Sequence, residues 1–308
     1  MADISRVGFI GLGMMGHGMA GCILASGYEL CVLGHRNRVP VENLLGRGAT
    51  EASSAKALAQ QSDAVVLCVT GSPQVEEIVY GENGLLAGIH PGLIVIDATT
   101  SDPNSTRKIA ADFVDAGGVF VDAPVTRAPK DAEAGRLNSL VGADPDVFEI
   151  VKPLIKTYSE TIERFGPVGA GHTAKLVNNF VTAGYTALIA EGFSVAAASG
   201  VDLERLYKVM SAGGADSGVL RKMVPPMLDG DLTGHQFAIK NADKDVGYFR
   251  RMIDGMPFDS IVGTGVFATY EEAVSLGLGE KLMASLLEMH EKRNGIKVVP
   301  EKRRTEDG

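Results

Sequence analysis

Near its start the chain reads Val7-Gly8-Phe9-Ile10-Gly11-Leu12-Gly13-Met14-Met15-Gly16. An apolar run of strand length ends on a G-x-G-x-x-G loop, and the residues from Met14 to Ala25 read as a helix. Gly11 suits a tight turn, Gly13 lets backbone approach a pyrophosphate closely, and Gly16 lets the helix pack on the strand. The helix start adds unpaired N–H groups and the positive end of a dipole, both suited to phosphate. In this strand–loop–helix setting the pattern predicts a dinucleotide cradle made by Gly11, Leu12, Gly13, Met14, Met15 and Gly16. The alternative is a glycine-rich turn that holds nothing.

The rhythm continues outward from this loop. Strand-like runs recur at Glu29–Leu33, Ala64–Val69, Leu93–Asp97, Val119–Asp122, Leu137–Val141 and Thr161–Phe165. Most are continuously apolar, as parallel strands covered on both faces are. Helical stretches at Ser53–Gln60, Asn104–Ala116 and Asp146–Tyr158 lie between them. The alternation predicts an α/β fold with a Rossmann-type doubly wound parallel sheet over residues 1–166. After Gly171 the pattern changes. Thr173–Ser199 reads as one long helix, apolar nearly all round and so expected to be buried on most sides. Helical patterns follow at Leu203–Ser211, Gly218–Leu228, Lys240–Ile253, Asp259–Ser275 and Lys281–Lys292. Residues 167–300 are therefore expected to form an all-helical domain joined through the long helix. Residues 301–308 are expected to be a charged, disordered tail.

Composition narrows the function classes. The 308 residues are 45% hydrophobic and 22% charged, which suits a globular chain with a real core. A net charge of −9 argues against nucleic acid or an anionic membrane as a partner. No apolar run reads as a bilayer span, and the N-terminus has no signal-peptide pattern, so a cytoplasmic location is expected. Cys22, Cys31 and Cys68 show no metal-ligand spacing and read as reduced thiols, so no metal is expected.

The second strand ends at Leu33 and is followed by Gly34-His35-Arg36-Asn37-Arg38. An acidic residue here would bind the ribose 2′-hydroxyl of NAD, and none is present. Arg36, Arg38 and His35 suit a 2′-phosphate instead, which favours NADP over NAD. A solvated loop is the alternative. Hydride chemistry at a carbonyl also needs a proton donor. The long helix opens Gly171-His172-Thr173-Ala174-Lys175-Leu176-Val177-Asn178-Asn179. Lys175 and Asn179 are spaced i, i+4 and share a face, with Asn178 beside them. A lysine and two amides on an apolar helix are costly to bury without a purpose, and burial would pull the lysine pKa down toward acid/base use. Alternatively the lysine simply reaches solvent. Further polar groups follow strand ends: Val69-Thr70, Asp97-Ala98-Thr99-Thr100 and Asp122-Ala123-Pro124-Val125-Thr126-Arg127-Ala128. In open α/β sheets ligands bind at such ends. Thr126 can hydrogen-bond a carboxylate, and Arg127 can clamp an anion. Lys244-Asp245 reads as a surface ion pair.

Taken in order, these pieces resemble the β-hydroxyacid dehydrogenase family, which includes 3-hydroxyisobutyrate dehydrogenase and tartronate semialdehyde reductase. The resemblance covers almost the whole chain. It implies a Rossmann domain, a long interdomain helix, a helical second domain, a homodimer or homotetramer, and an active-site cleft between domains. It implies that Lys175 is the acid/base, that Asn179 and Asn178 orient substrate, and that Thr126 takes the place of a substrate-loop serine. It also implies that Thr100 and Lys244 contact the cofactor. The family usually carries Ser-Gly-Gly where this chain has Thr126-Arg127-Ala128. The arginine is similar to the loop of the sulfolactaldehyde reductase branch, so a sulfonate or second anionic group on the substrate is implied. The expected activity is hydride exchange between NADP or NAD and a short 3-hydroxy acid or its semialdehyde. Imine reduction and a non-catalytic nucleotide-binding scaffold are the competing readings.

Overall fold

A computed structural model describes residues 4–301. The tail expected at 301–308 lies, beyond Glu301, outside the described residues. The first part of the chain alternates strands and helices. Its strands are β1 Arg6–Ile10, β2 Glu29–Leu33, β3 Thr50–Ala52, β4 Ala64–Leu67, β5 Ile94–Asp97, β6 Val119–Asp122, β7 Val125–Thr126, β8 Leu137–Gly142 and β9 Ser159–Gly166. Its helices are α1 Gly16–Ala25, α2 Val39–Leu45, α3 Ala55–Gln61, α4 Ser72–Tyr80, α5 Pro103–Asp115, α6 Pro129–Glu133 and α7 Pro145–Ile155. The strands form one nine-stranded sheet in the order β3-β2-β1-β4-β5-β6-β8-β7, with β9 paired to β8. β1 to β6 are mutually parallel. β8 runs antiparallel to β6, and β7 antiparallel to β8.

Both faces of the sheet are covered. Val7 and Phe9 of β1 pack toward Met19 and Ile23 of α1 and Leu154 of α7. Ile10, Val65 and Leu67 point the other way, toward Leu58, Val75 and Phe113 of α3, α4 and α5. This two-faced burial is the physical reason the strands read as continuous apolar runs rather than alternating ones.

The register sets up the chemistry. Ile10 pairs with Leu33 on one side and Leu67 on the other. Leu67 pairs with Asp97, and Asp97 with Asp122. The last residues of β2, β1, β4, β5 and β6 therefore stand in one row. The loops that follow them all leave from the same edge of the sheet. The order of chain reverses between β1 and β4, the switch point where such sheets open a crevice.

The remaining helices are α8 Ala170–Ala198, α9 Leu203–Met210, α10 Gly218–Leu228, α11 Ile239–Asp254, α12 Ile261–Ser275 and α13 Leu286–Asn294. The chain divides into two compact units between Lys175 and Leu176, inside α8. The boundary expected from the sequence pattern is 166/167. The first turns of α8 belong with the sheet because the Asp122 carboxylate accepts from the backbone N–H groups of Gly169 and His172, at 2.6 and 2.7 Å. The second unit has its own apolar core, in which Leu176, Ile189 and Phe193 of α8 meet Leu220, Val224, Ile239, Phe267 and Tyr270.

Two expectations for α8 need correction. At 29 residues it is long and apolar enough, by length and composition, to cross a bilayer. It serves instead as the core helix of the second unit. Nor is it buried on most sides: Val181, Tyr185, Leu188 and Val195 are exposed, Leu188 at 69%. Apolar content alone does not say which face of a helix its neighbours cover.

Candidate active site

The loop after β1 is built by glycines. Gly11 has φ +103°, and a Cβ there would collide with the Cys68 carbonyl oxygen. A Cβ on Gly16 would collide with the Gly11 carbonyl oxygen. Around Gly13 the space is open, with no atom within 4 Å of where a Cβ would stand. The helix begins at Gly16 rather than Met14, and α1 has no side-chain cap and no acid in its first turn. The His17 N–H donates to the Gly13 carbonyl at 3.1 Å, and no side chain caps the N–H groups at this helix start, the setting a phosphate site requires. The loop residues Leu12, Met14 and Met15 surround this opening, with Met14 fully turned outward at 80% exposure.

After β2, His35 and Arg36 are exposed. Arg36 makes no ion pair among the described residues, whereas Arg38 is held by both carboxylate oxygens of Glu51, at 2.6 and 2.8 Å. A Cβ on Gly34 would collide with this pair. Glu51 on β3 was not picked out from sequence, because nothing local marks a residue that pairs with an arginine across two strands.

After β4, the Val69 N–H donates to Thr99 Oγ1 at 3.1 Å, and Thr70 is exposed beyond it. After β5, Asp97 is buried and accepts from the Thr99 N–H at 2.9 Å and from Ser101 Oγ at 3.0 Å. This loop leaves Thr100 half-buried at the edge. After β6, Asn138 Nδ2 donates to Thr126 Oγ1 at 3.0 Å. Arg127 follows with φ +86°, the one positive φ at a non-glycine among the described residues. Its guanidinium pairs with Glu160 at 2.8 Å, and Ala128 is half-buried beside it. Lys175 comes to this loop: its Nζ donates to the Val125 carbonyl oxygen at 2.8 Å.

Beneath that contact lies a buried polar cluster. His172 is fully enclosed; its Nδ1 is 2.7 Å from Thr106 Oγ1 and its Nε2 is 2.9 Å from the Thr99 carbonyl oxygen. The carboxylates of Asp97 and Asp122 lie 3.7 and 3.8 Å from the ring nitrogens. Burial pushes the Asp122 carboxyl up to about 6, against its backbone hydrogen bonds, and raises Asp97 despite the opposing effect of His172. Gly171 lets α8 approach the sheet, since a Cβ there would collide with the Leu140 carbonyl oxygen. From sequence the two aspartates are only polar groups at strand ends and His172 has no role; Asp at two strand ends followed by Gly-x-Gly-His was the available signal.

Within the second unit, Asn179 Nδ2 donates to Asp245 Oδ2 at 2.6 Å, and Asn178 Nδ2 donates to Asn179 Oδ1 at 3.0 Å. Lys244 Nζ is 3.2 Å from Asp245 Oδ1 and lies over the Tyr248 ring at 5.3 Å. Asp245 is only 2% exposed, so the pair that read as a surface one is mostly buried. The structure thus joins Asn178, Asn179 and Lys244 through Asp245. Separately, His35, Arg36, the glycine loop, Val69, Thr70 and Thr100 follow the row of strand ends, and Lys175 meets the Thr126-Arg127-Ala128 loop through the Val125 carbonyl.

Residues 6–166 match the family described as the NAD binding domain of 6-phosphogluconate dehydrogenase. Residues 169–290 match the one described as NAD-binding of NADP-dependent 3-hydroxyisobutyrate dehydrogenase. The chain belongs to the β-hydroxyacid dehydrogenase family. The 2-hydroxy-3-oxopropionate reductase of Escherichia coli (strain K12) is 34% identical over 70% of this chain and 73% of its own length. The 3-sulfolactaldehyde reductase of the same organism is 29% identical over 92% of this chain and 95% of its length. A solved 3-hydroxyisobutyrate dehydrogenase from Salmonella typhimurium is 25% identical, with a TM-score of 0.79 over 92% of this chain and 99% of that one. As a β-hydroxyacid dehydrogenase, this protein uses NAD(P) and is a dehydrogenase of small hydroxy acids.

Proposed function

We propose that this β-hydroxyacid dehydrogenase reduces a short anionic semialdehyde to its 3-hydroxy acid, and catalyses the reverse, with Lys175 as the proton donor and acceptor and NADP(H) as the preferred nucleotide. The observation that carries the reading is the 2.8 Å hydrogen bond from Lys175 Nζ to the Val125 carbonyl, at the root of the Thr126-Arg127-Ala128 loop. It holds an ammonium group at the edge of the sheet where the glycine loop also opens.

NADP(H), when bound, supplies or accepts a hydride at its nicotinamide C4. Gly13 and the uncapped start of α1 suit its pyrophosphate, and Arg36 with His35 suits the 2′-phosphate. Thr100, Val69, Thr70 and Lys244 are the further cofactor contacts we infer. Lys175 gives its proton to the carbonyl oxygen as that oxygen gains negative charge, and takes it back from the hydroxyl in the reverse direction. An ammonium near the developing alkoxide also stabilises it electrostatically before the proton moves. Thr126 and Arg127 receive the substrate's anionic group, Arg127 exchanging its exposed pairing with Glu160 for the ligand. Such an exposed pair contributes about 0.2–1 kcal/mol and gives way readily. Asn179, oriented by Asp245, and Asn178 hold the substrate's remaining oxygens.

The names of the two Escherichia coli relatives, a 2-hydroxy-3-oxopropionate reductase and a 3-sulfolactaldehyde reductase, support a short semialdehyde with a carboxylate or a sulfonate. The test is a panel of short hydroxy acids, hydroxysulfonates and semialdehydes with NAD and NADP, followed at the nicotinamide absorbance. Turnover of at least one semialdehyde, faster with NADPH, is expected. Nucleotide binding without turnover of any of them overturns the reading.

A further inference from the structure

Two contacts tie the start of α8 to the chain that runs from β6 into β7. In the first, the Asp122 carboxylate at the end of β6 accepts from the Gly169 and His172 N–H groups, at 2.6 and 2.7 Å. In the second, Lys175 Nζ donates to the Val125 carbonyl oxygen at 2.8 Å. Val125 stands three residues after Asp122, and Lys175 three residues after His172. The two contacts therefore close one small ring of chain. On one side the carboxylate fixes the segment whose carbonyl receives the ammonium, and on the other the helical turn that delivers it. All of these residues lie in the first compact unit.

The chain is shaped around this carboxylate. Asp122 is fully buried, and a Cβ on Gly142 would collide with its Oδ1. A Cβ on Gly171 would collide with the Leu140 carbonyl oxygen, so glycine at both positions lets β8 and α8 close on Asp122. A carboxylate buried this deeply is costly unless hydrogen bonds offset the lost water. His172 adds a second hold. Its Nε2–H donates to the Thr99 carbonyl at 2.9 Å, a group that can only accept, and its Nδ1 is 2.7 Å from Thr106 Oγ1. The ring thus pins the first turn of α8 to the loop after β5 and to α5. Neither Asp122 nor His172 has a part in the chemistry above.

We propose that Asp122 is the positioning residue for Lys175, with His172 as its latch. The carboxylate holds β6 and the first turn of α8 in the one register at which the ammonium meets the Val125 carbonyl. Lysine is a point charge on a flexible four-carbon stem, so its aim depends on what anchors its backbone and its tip. Misplacing a reacting group by about 1 Å can cost about a hundredfold in rate. The inference rests on the acid/base reading of Lys175 for its consequence in turnover, but the placement itself is measurable without substrate.

The experiment is competitive acetylation of the lysines, read by peptide mass spectrometry at about pH 8. There the Asp122 carboxyl, pushed up by burial to about 6, is ionised. Lys156 and Lys292, both exposed, are the references. In the wild type Lys175 should label at least about tenfold more slowly than either, as a group protected by folded structure does. Asp122→Asn sets an amide group against the backbone donors and should raise Lys175 labelling about tenfold, with the reference ratio unchanged. Thr106→Val unlatches His172, leaves Asp122 in place and should raise it about threefold. It decides alone if Asp122→Asn does not fold. Unchanged Lys175 labelling in either folded variant overturns the proposal. Single-turnover hydride transfer is the second readout. Asp122→Asn should slow it about thirtyfold with nucleotide affinity kept, but less than about threefold in a Lys175→Ala background, where no amine is left to place. Equal slowing in the two backgrounds would make Asp122 merely structural and overturn the proposal. Faster labelling with near-normal hydride transfer in both single variants would refute the acid/base reading alone.

Discussion

Two loops leave the same edge of the sheet, and each needs a backbone with positive φ. After β1 the position is Gly11, at +103°; after β7 it is Arg127, at +86°. Glycine adopts this conformation freely, whereas an L side chain there costs about 1–2 kcal/mol. The first loop presents only backbone, which suits a phosphate common to all dinucleotides. The second keeps a strained charged residue where the family usually has glycine. The contrast locates generic recognition in the first loop and selectivity for one anion in the second.

The largest effect should come from the glycine loop. Gly11→Ala adds left-handed strain and a collision with the Cys68 carbonyl, and is expected to lower stability by roughly 2–5 kcal/mol. A denaturant melt reads this, and an unchanged midpoint would mean the loop is not as tight as its geometry. At the second loop, Arg127→Ala should weaken an anionic substrate by about 1.5–3 kcal/mol, as for a lost charged hydrogen bond. That appears as a rise in KM with nucleotide affinity unchanged; equal KM for charged and uncharged substrates would leave Arg127 merely a partner of Glu160.

The nucleotide end gives a smaller effect. Arg36→Ala should cost NADP about 1–2 kcal/mol of affinity, because the side chain is exposed, and NAD almost nothing. Equal losses for both nucleotides would remove Arg36 from the 2′-phosphate. The smallest effect sharpens the comparison of backbones directly. Arg127→Gly and Arg127→Ala both lose the Glu160 pair, but only glycine relieves the strain. The glycine variant should therefore melt as the more stable of the two by about 1 kcal/mol, reversing the usual order. The ordinary order would show that the loop relaxes.

Much of this was legible in the sequence. Gly11, Gly13 and Gly16 follow a continuously apolar strand, and that local pattern is enough to predict the turn and the sheet around it. The long helix carrying Lys175 was equally plain, because it has no proline and few glycines. Other features depend on partners distant in sequence. The pairing of Arg38 with Glu51 and of Arg127 with Glu160 joins a loop residue to a residue of a later strand. Asp122 looks like one more polar residue at a strand end, and its acceptance of the Gly169 and His172 N–H groups appears only when α8 lies on the sheet. The short elements α2 and β3 were not predicted, being too brief for a periodic signal. The reversal of β8 against β6 is a matter of strand direction, which an apolar run does not encode.

The central claim is that the Lys175 ammonium supplies the proton. A single-turnover measurement on wild type and Lys175→Ala, with NADPH bound first and semialdehyde mixed in, tests it most directly. The account predicts that nucleotide affinity is retained and that the hydride-transfer rate falls at least about a hundredfold, the usual worth of a positioned general acid. Hydride transfer at a near-normal rate in Lys175→Ala would contradict it.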